Sequence, residues 1–229
     1  MIKLVVFDVG GTLVDFHSPL NKVTVKILRK VFNIRTNEKE IQKIIYEIEL
    51  KYGSCHFPRK RYSRLVADAI FQKFDIPNKK TKEFFKHWDK SRFGNQKLHP
   101  DALPTIKKLK GKYLLATLAN SHDKVFHQRI LKKTKLKGHF HLHIDSAAVG
   151  IKKPNSRIFK IVLHHFKVKP DDSVMIGDIP SADIFGAKRV GMHTILINRK
   201  RLPYHFTRQT KPDFEIHSLN QLLPIIKKL

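Results

Sequence analysis

Cysteine, acidic residues and long apolar runs are all scarce in this sequence. The single cysteine, Cys55, excludes an intrachain disulfide framework and a cysteine-rich zinc site. No apolar run approaches the ~20 residues that cross a bilayer. The stretch from Ile2 to Phe7 ahead of Asp8 is too short for a signal-peptide core. Together these absences lead us to expect a soluble, cytoplasmic protein with no membrane partner. Acids are the most depleted class: 19 Asp and Glu stand against 46 Lys and Arg, a formal net charge of +27. Such an excess raises nucleic acid as a partner. Lysines far outnumber arginines, however, and pairs such as Lys79-Lys80, Lys107-Lys108, Lys132-Lys133 and Lys227-Lys228 are scattered along the chain. Scattered lysines describe a basic surface that attracts anionic substrates and binds nucleic acid nonspecifically. With 41% hydrophobic residues in 229, the chain is not wholly disordered. It is long enough for one large domain or a domain with a sizeable insertion.

The apolar pattern divides the chain in two. Ile2 to Phe7 is a β-branched run that ends at Asp8-Val9-Gly10-Gly11-Thr12, a buried strand delivering an aspartate to a loop. From Ser18 to about Phe93 the spacing becomes helical: Val23, Ile27, Leu28 and Val31, then Ile41, Ile44, Ile45 and Ile48, then Leu65, Val66, Ala69 and Ile70, then Phe84, Phe85 and Trp88. Four helices without a strand suggest a separate module. After His99-Pro100, strands and helices alternate to the end. Strands are expected at Tyr113 to Leu118, Phe140 to Ile144, Val174 to Ile176, Thr194 to Ile197 and Phe214 to Ile216. That alternation argues for a parallel sheet covered on both faces.

Sites in open α/β sheets lie beyond the carboxyl ends of the strands. Three strands here end in polar residues: Phe7 into Asp8, Ala119 into Asn120, and Gly177 into Asp178. If the first and last of these strands are neighbours, Asp8 and Asp178 converge. Two close carboxylates repel each other and call for a cation. Oxygen-only ligation of that kind suits Mg²⁺. Gly10-Gly11 lets the backbone approach a ligand, and Gly150-Ile151-Lys152-Lys153-Pro154, just ahead of a helix, supplies a candidate cationic partner for a phosphate oxygen.

Asp8-Val9-Gly10-Gly11-Thr12-Leu13, Gly150-x-x-Lys153-Pro154 and Gly177-Asp178-x-x-x-x-Asp183, in that order, resemble the haloacid dehalogenase superfamily. The stretches Asp145 to Phe159 and Gly177 to Met192 are similar to its phosphatase-like branch with an inserted helical cap. The resemblance covers nearly the whole chain. It implies a Rossmann-like α/β core at 1–15 and 96–229, with a helical cap at 16–95. It also implies a Mg²⁺-dependent phosphatase acting on a small phosphorylated metabolite. Asp8 would be the nucleophile that forms an aspartyl-phosphate. Asp8 and Asp178 would bind Mg²⁺ by carboxylate and Gly10 by its backbone carbonyl. Lys153 would neutralise Asp8 and the transferring phosphoryl group, with Asp183 behind the ligands to orient them. Gly11, Thr12 and Asn120 would bind phosphate alongside Lys153, Asn120 through its backbone N–H.

Two positions depart from the family pattern. Gly10 stands where phosphatases carry an aspartate that acts as general acid and base, and losing a positioned acid costs ~10²–10⁴-fold. Ala119 stands where a Ser or Thr bonds the phosphate. Thr117 shares its face of the strand but sits too far back, and Ser121 is a conceivable substitute. Three readings therefore stay open: a slow phosphatase, a non-catalytic phospho-ligand- or nucleic-acid-binding protein, and a dehalogenase-type hydrolase, which would also lack the second aspartate. Gly177-Asp178 favours the metal-dependent reading.

Other clusters have blander readings beside sharper ones. His139, His141 and His143 alternate, which on a strand would put three imidazoles on one face, as zinc ligands or simply as its wet side. Phe84, Phe85 and Trp88 at helical spacing read as core rather than as base-stacking platforms. Arg199-Lys200-Arg201 forms a basic run in a loop. Arg59, Arg61 and Arg64 lie in the cap segment, where they are candidates for selecting a polyanionic substrate.

Overall fold

The computed structural model describes every residue except 16, 54–58, 93–95 and 122–123, and gives backbone alone for helical residues 17–23, 46, 48–53, 59–63, 66, 88–92 and 124–127. The chain folds into two compact units, Met1–Asp15 with Lys97–Leu229, and Phe16–Gln96.

The first unit is built on six strands: β1 (Leu4–Phe7), β4 (Leu114–Ala119), β5 (Leu142–Asp145), β6 (Ser173–Gly177), β7 (His193–Ile197) and β8 (Phe214–Ile216). Their order is β5-β4-β1-β6-β7-β8, and every neighbouring pair is parallel. A two-residue antiparallel pair, β2 (Val14–Asp15) with β3 (Lys97–Leu98), closes the excursion between the units. Neither strand has an apolar run long enough to be read from sequence. The central strands are buried on both faces, which is why Leu4 to Phe7 reads as a continuous apolar run. Leu4 and Val6 face a core with Ala116, Leu118, Met175 and the buried side of α8 (Ser156–Phe166): Ile158, Phe159 and Val162. On β1, Phe7 meets Phe140 edge to face, with ring centroids 6.1 Å apart.

Crossover helices α5 (Ala102–Leu109), α6 (Lys124–Lys133) and α8 connect parallel strands. The one-turn helix α7 (Ser146–Val149) is absent from the sequence expectations. It follows β5 without a break, because the Asp145 carboxylate caps it by accepting from the Ala147 N–H at 2.7 Å. After β6 the chain makes a π-helical turn at Pro180–Ile184 before α9 (Phe185–Lys188). The C-terminus ends in α10 (Leu222–Ile226).

The histidine alternation does not fall on one strand. His139 ends a 3₁₀ turn, and β5 begins only at Leu142. His141 Nδ1 accepts the Leu115 N–H at 3.0 Å, and His143 Nδ1 lies 2.9 Å from the Thr117 hydroxyl. His143 ties β5 to β4 and His141 ties the residue ahead of β5 to β4; among the described residues the histidines form no metal-binding group.

The second unit contains α1 (His17–Lys30), α2 (Glu38–Gly53), α3 (Arg59–Lys73) and α4 (Thr81–Arg92), as the periodicity predicts. Val25, Leu28, Ile41, Ile45, Ile70, Phe71 and Phe84 form its core. Phe71 and Phe84 pack edge to face at 5.4 Å, and Phe85 packs partly buried against the same cluster. Both Phe84 and Phe85 are therefore core residues. Trp88 and Cys55 lie outside the described side chains.

Gly186 in α9 fixes how closely α8 and the segment before it pack. A Cβ there would fall on the buried ring of Phe159 and 3.0 Å from Pro154 Cα. Replacing a helical glycine by alanine ordinarily stabilises by up to about 1 kcal/mol. Here overpacking should reverse the sign, and Gly186→Ala is expected to lose about 1–3 kcal/mol in urea unfolding. A more stable variant would contradict this packing.

Candidate active site

Parallel register places the carboxyl ends of the central strands side by side. Phe7 lies opposite Thr117 on one flank and Ile176 on the other. The Asp8 N–H donates to the Ile176 carbonyl at 2.8 Å, extending the ladder to the sheet edge. Asp8 and the Gly177-Asp178 pair thus emerge together beyond the central strands.

Four charged side chains meet there. Lys153, 3% exposed, donates to Asp8 Oδ1 at 2.7 Å and reaches Asp183 Oδ1 at 2.7 Å. Asp8 is 7% and Asp183 1% exposed. Asp8, Asp178 and Asp183 each offer a carboxylate oxygen within 4.8 Å of the others. Three carboxylates face one ammonium, so two negative charges are left when all are ionised. Burial pushes the Asp8 carboxyl up to about 7, against the pull of Lys153 and with Asp183 and Asp178 adding to the rise. Burial, with Asp178 adding to it, also raises Asp183, while Lys153 and the Ile179 N–H oppose it. For Lys153, burial favours the neutral amine, but Asp183 and Asp8 outweigh it and hold the ammonium charged well above its ordinary range. An all-oxygen donor set with excess negative charge is what a hard divalent cation binds, so the residues fit such an ion.

Two glycines make this density possible. A Cβ on Gly11, at φ +82°, would overlap the Asp178 carboxylate. A Cβ on Gly177 would overlap the Asp183 carboxylate at Oδ2, the oxygen that accepts the Ile179 N–H at 3.0 Å. Each carboxylate occupies the place of a side chain its neighbour lacks.

Asn120 is engaged through its side chain. Its Oδ1 accepts the Lys153 N–H at 2.8 Å, and its Nδ2 donates to the Lys153 carbonyl at 3.0 Å. Sequence pointed only to its backbone N–H and gave no sign of this amide pair, which fixes the backbone from which the buried ammonium extends. The Thr117 hydroxyl is taken by His143. Ser121 is anchored by its backbone, with its N–H to Ser146 Oγ at 2.9 Å and its carbonyl accepting from that hydroxyl at 3.0 Å. The Thr12 hydroxyl is buried without a hydrogen-bond partner among the described residues. Arg199, read from sequence as part of a basic surface run, is instead paired with Asp101 and the Thr12 carbonyl. In the second unit, Arg64 is exposed and paired with Asp68 at 2.9 Å, and the side chains of Arg59 and Arg61 lie outside those described.

Comparison with known proteins gives this geometry a family. A model described as haloacid dehalogenase-like hydrolase matches residues 2–191. The chain belongs to that family. As a haloacid dehalogenase-like hydrolase it is an enzyme, and it has relatives of more than one activity. It is 28% identical to a glyceraldehyde 3-phosphate phosphatase from Methanopyrus kandleri, over 100% of this chain and 99% of that one. It is 24% identical to (S)-2-haloacid dehalogenase 4A from Burkholderia cepacia, over 99% and 96%. Among solved structures, the HAD-hydrolase YfnB from Bacillus subtilis, bound to magnesium, superposes with a TM-score of 0.83 at 20% identity, covering 98% of each chain. That likeness supports the fold.

Lys153 is the hub of this charge cluster. Lys153→Met removes the ammonium and leaves its carboxylates buried and uncompensated. We expect a loss of about 3–5 kcal/mol in urea unfolding at neutral pH without divalent ions. The exposed-lysine control Lys160→Met should stay within about 0.5 kcal/mol. A Lys153→Met loss no larger than the control's would contradict the shared ion pair.

Proposed function

We propose that this hydrolase is a cytoplasmic, Mg²⁺-dependent phosphatase of small phosphorylated metabolites, working through an aspartyl-phosphate on Asp8. The observation that carries the reading is the cluster of three carboxylates within 4.8 Å around one buried lysine. Asp8 and Asp178 would hold the metal by carboxylate and Gly10 by its carbonyl, with Asp183 orienting them, and the bound ion would supply charge neutralisation for the phosphoryl oxygens. Lys153 holds Asp8 Oδ1, so Oδ2 is the oxygen offered for attack. It bonds to phosphorus as the ester P–O bond breaks, and the leaving alkoxide takes its proton from water. A second water then attacks the phosphorus as the Asp8 Oδ2–P bond breaks and gives a proton to the hydroxide left by the first, releasing inorganic phosphate and restoring the Asp8 carboxylate. Lys153, the Gly11–Thr12 backbone, the Asn120 N–H and the otherwise unpartnered Thr12 hydroxyl bind the phosphate. Residues 16–95 act as the cap, and its arginines 59, 61 and 64 bear on substrate choice. A single cysteine suits a reducing compartment, and no described helix is long and apolar enough to cross a membrane.

A dehalogenase reading draws on Gly10, which lacks the carboxylate of a general acid. The third carboxylate weighs against it. Without a cation, Asp178 only adds repulsion at a nucleophile already hard to ionise.

With no side chain at Gly10 to protonate the leaving group, low-pKa leaving groups should turn over best. In a screen of aryl, acyl and alkyl phosphates that includes triose phosphates, aryl and acyl esters should dominate. Activity should vanish on chelation, return with Mg²⁺, and be absent in Asp8→Asn. Gly10→Asp should raise kcat on alkyl phosphates, up to ~10²-fold or more. Activity surviving in Asp8→Asn, or a folded Gly10→Asp with no gain, would contradict the mechanism.

A further inference from the structure

The loop that carries Asp8 is closed on itself. The Val9 carbonyl accepts the N–H groups of Leu13 and Val14 at 3.0 and 2.9 Å, and the Gly11 N–H donates to the Val14 carbonyl at 2.8 Å. Two carbonyls of this loop are taken from outside: that of Leu13 accepts the His99 N–H at 2.9 Å, and that of Thr12 accepts from a side chain. Arg199, just past β7, donates through Nη2 to the Thr12 carbonyl at 2.8 Å. The same guanidinium forks onto Asp101, Nη1 to Oδ2 and Nη2 to Oδ1, both at 2.9 Å. Asp101 is itself fixed. It accepts the Ser218 hydroxyl at 2.7 Å and the Leu219 N–H at 2.9 Å. Burial works against its charge, but the Arg199, Ser218 and Leu219 hydrogen bonds prevail and hold the carboxyl below the usual range. The carboxylate therefore stays ionised at working pH, and both partners are largely buried.

We propose that Arg199 is a positioning residue for the nucleophile loop, with Asp101 as its anchor. The peptide it clamps follows Gly11, the residue whose missing Cβ admits the Asp178 carboxylate. Shifting Thr12 therefore shifts Gly11 against Asp178 and alters the aim of Asp8 four residues back. The clamp draws on four stretches of chain, around 12, 101, 199 and 218–219, so the far end of the sheet sets the loop. A lysine cannot replace it, because one ammonium lacks the planar fork that meets a carboxylate and a carbonyl together. An exposed ion pair would contribute little, whereas this one is buried and bidentate.

The catalytic consequence rests on the phosphatase reading; the clamp itself does not. The test uses the full chain with Arg199→Lys, Arg199→Ala and Asp101→Asn, measured for kcat, KM, thermal midpoint and amide hydrogen exchange. Arg199→Lys should lower kcat ~10-fold and Arg199→Ala ~10²-fold, the scale of a small misplacement, with KM within about twofold. Millimolar guanidinium should partly restore Arg199→Ala, and exchange of the Gly11, Leu13 and Val14 amides should quicken in all three variants. Unchanged exchange in that loop would overturn the clamp, whatever the activity. Quickened exchange with kcat lost only in proportion to unfolded protein, and no rescue, would overturn the positioning role. Should Asp8→Asn stay active, the mechanism fails while the exchange result still decides the clamp.

Discussion

Everything at the sheet edge depends on one buried ammonium shared by two carboxylates. Lys153 sits 2.7 Å from both Asp8 and Asp183, almost out of reach of water. A buried lysine without partners would shed its proton, and buried aspartates without a cation would hold theirs. Together they hold the ammonium charged, while the Asp8 and Asp183 carboxyls remain raised, with Asp178 adding a third negative group. The excess negative charge fits the site to a divalent cation, as the proposed phosphoryl chemistry requires. Burial, with the Asp183 and Asp178 charges adding to it, raises the Asp8 carboxyl to about 7.

The surrounding structure serves this arrangement. Gly11 and Gly177 give up side chains so that carboxylates can occupy their place. Asn120 spends both ends of its amide on the Lys153 backbone. The parallel register of β1 and β6 delivers Asp8 and Asp178 to one edge, and the Asp183 carboxylate is tied to the Ile179 N–H. Arg199, held by Asp101, donates to the Thr12 carbonyl of the same loop.

Much of this could be read from sequence, for identifiable reasons. Asp8 and Asp178 end buried strands, where polar residues stand out against apolar runs, and Gly177 explains itself once Asp183 is placed. The helical block was visible because its apolar residues repeat at helical spacing. Arg199 was hidden by its surroundings. In a chain with 46 basic residues, an arginine beside Lys200 and Arg201 looks like solvated surface, and its partners at 12 and 101 are far away in sequence. The histidines misled for a related reason: alternation implies one face only on a strand, and β5 starts too late to include His139 or His141. The Asn120 amide pair and the two-residue strands at Val14 and Lys97 depend on tertiary contacts that leave no local pattern.

What the molecule lacks is as informative as what it holds. Gly10 offers no acid and Ala119 no hydroxyl, while the Thr117 hydroxyl is committed to His143. The proposed nucleophile, Asp8, and its charge partners are present, while the accessory groups of the phosphatase pattern are reduced. That combination should let the covalent intermediate form from reactive phosphates even where turnover is slow. The most direct measurement is to quench the enzyme in acid during turnover of an aryl phosphate with Mg²⁺, reduce it with borohydride and map the peptides. The account predicts reduction of the phosphorylated carboxyl at Asp8, dependent on Mg²⁺ and on substrate. A quenched enzyme carrying no modification during active turnover, or one modified at another residue, would contradict it.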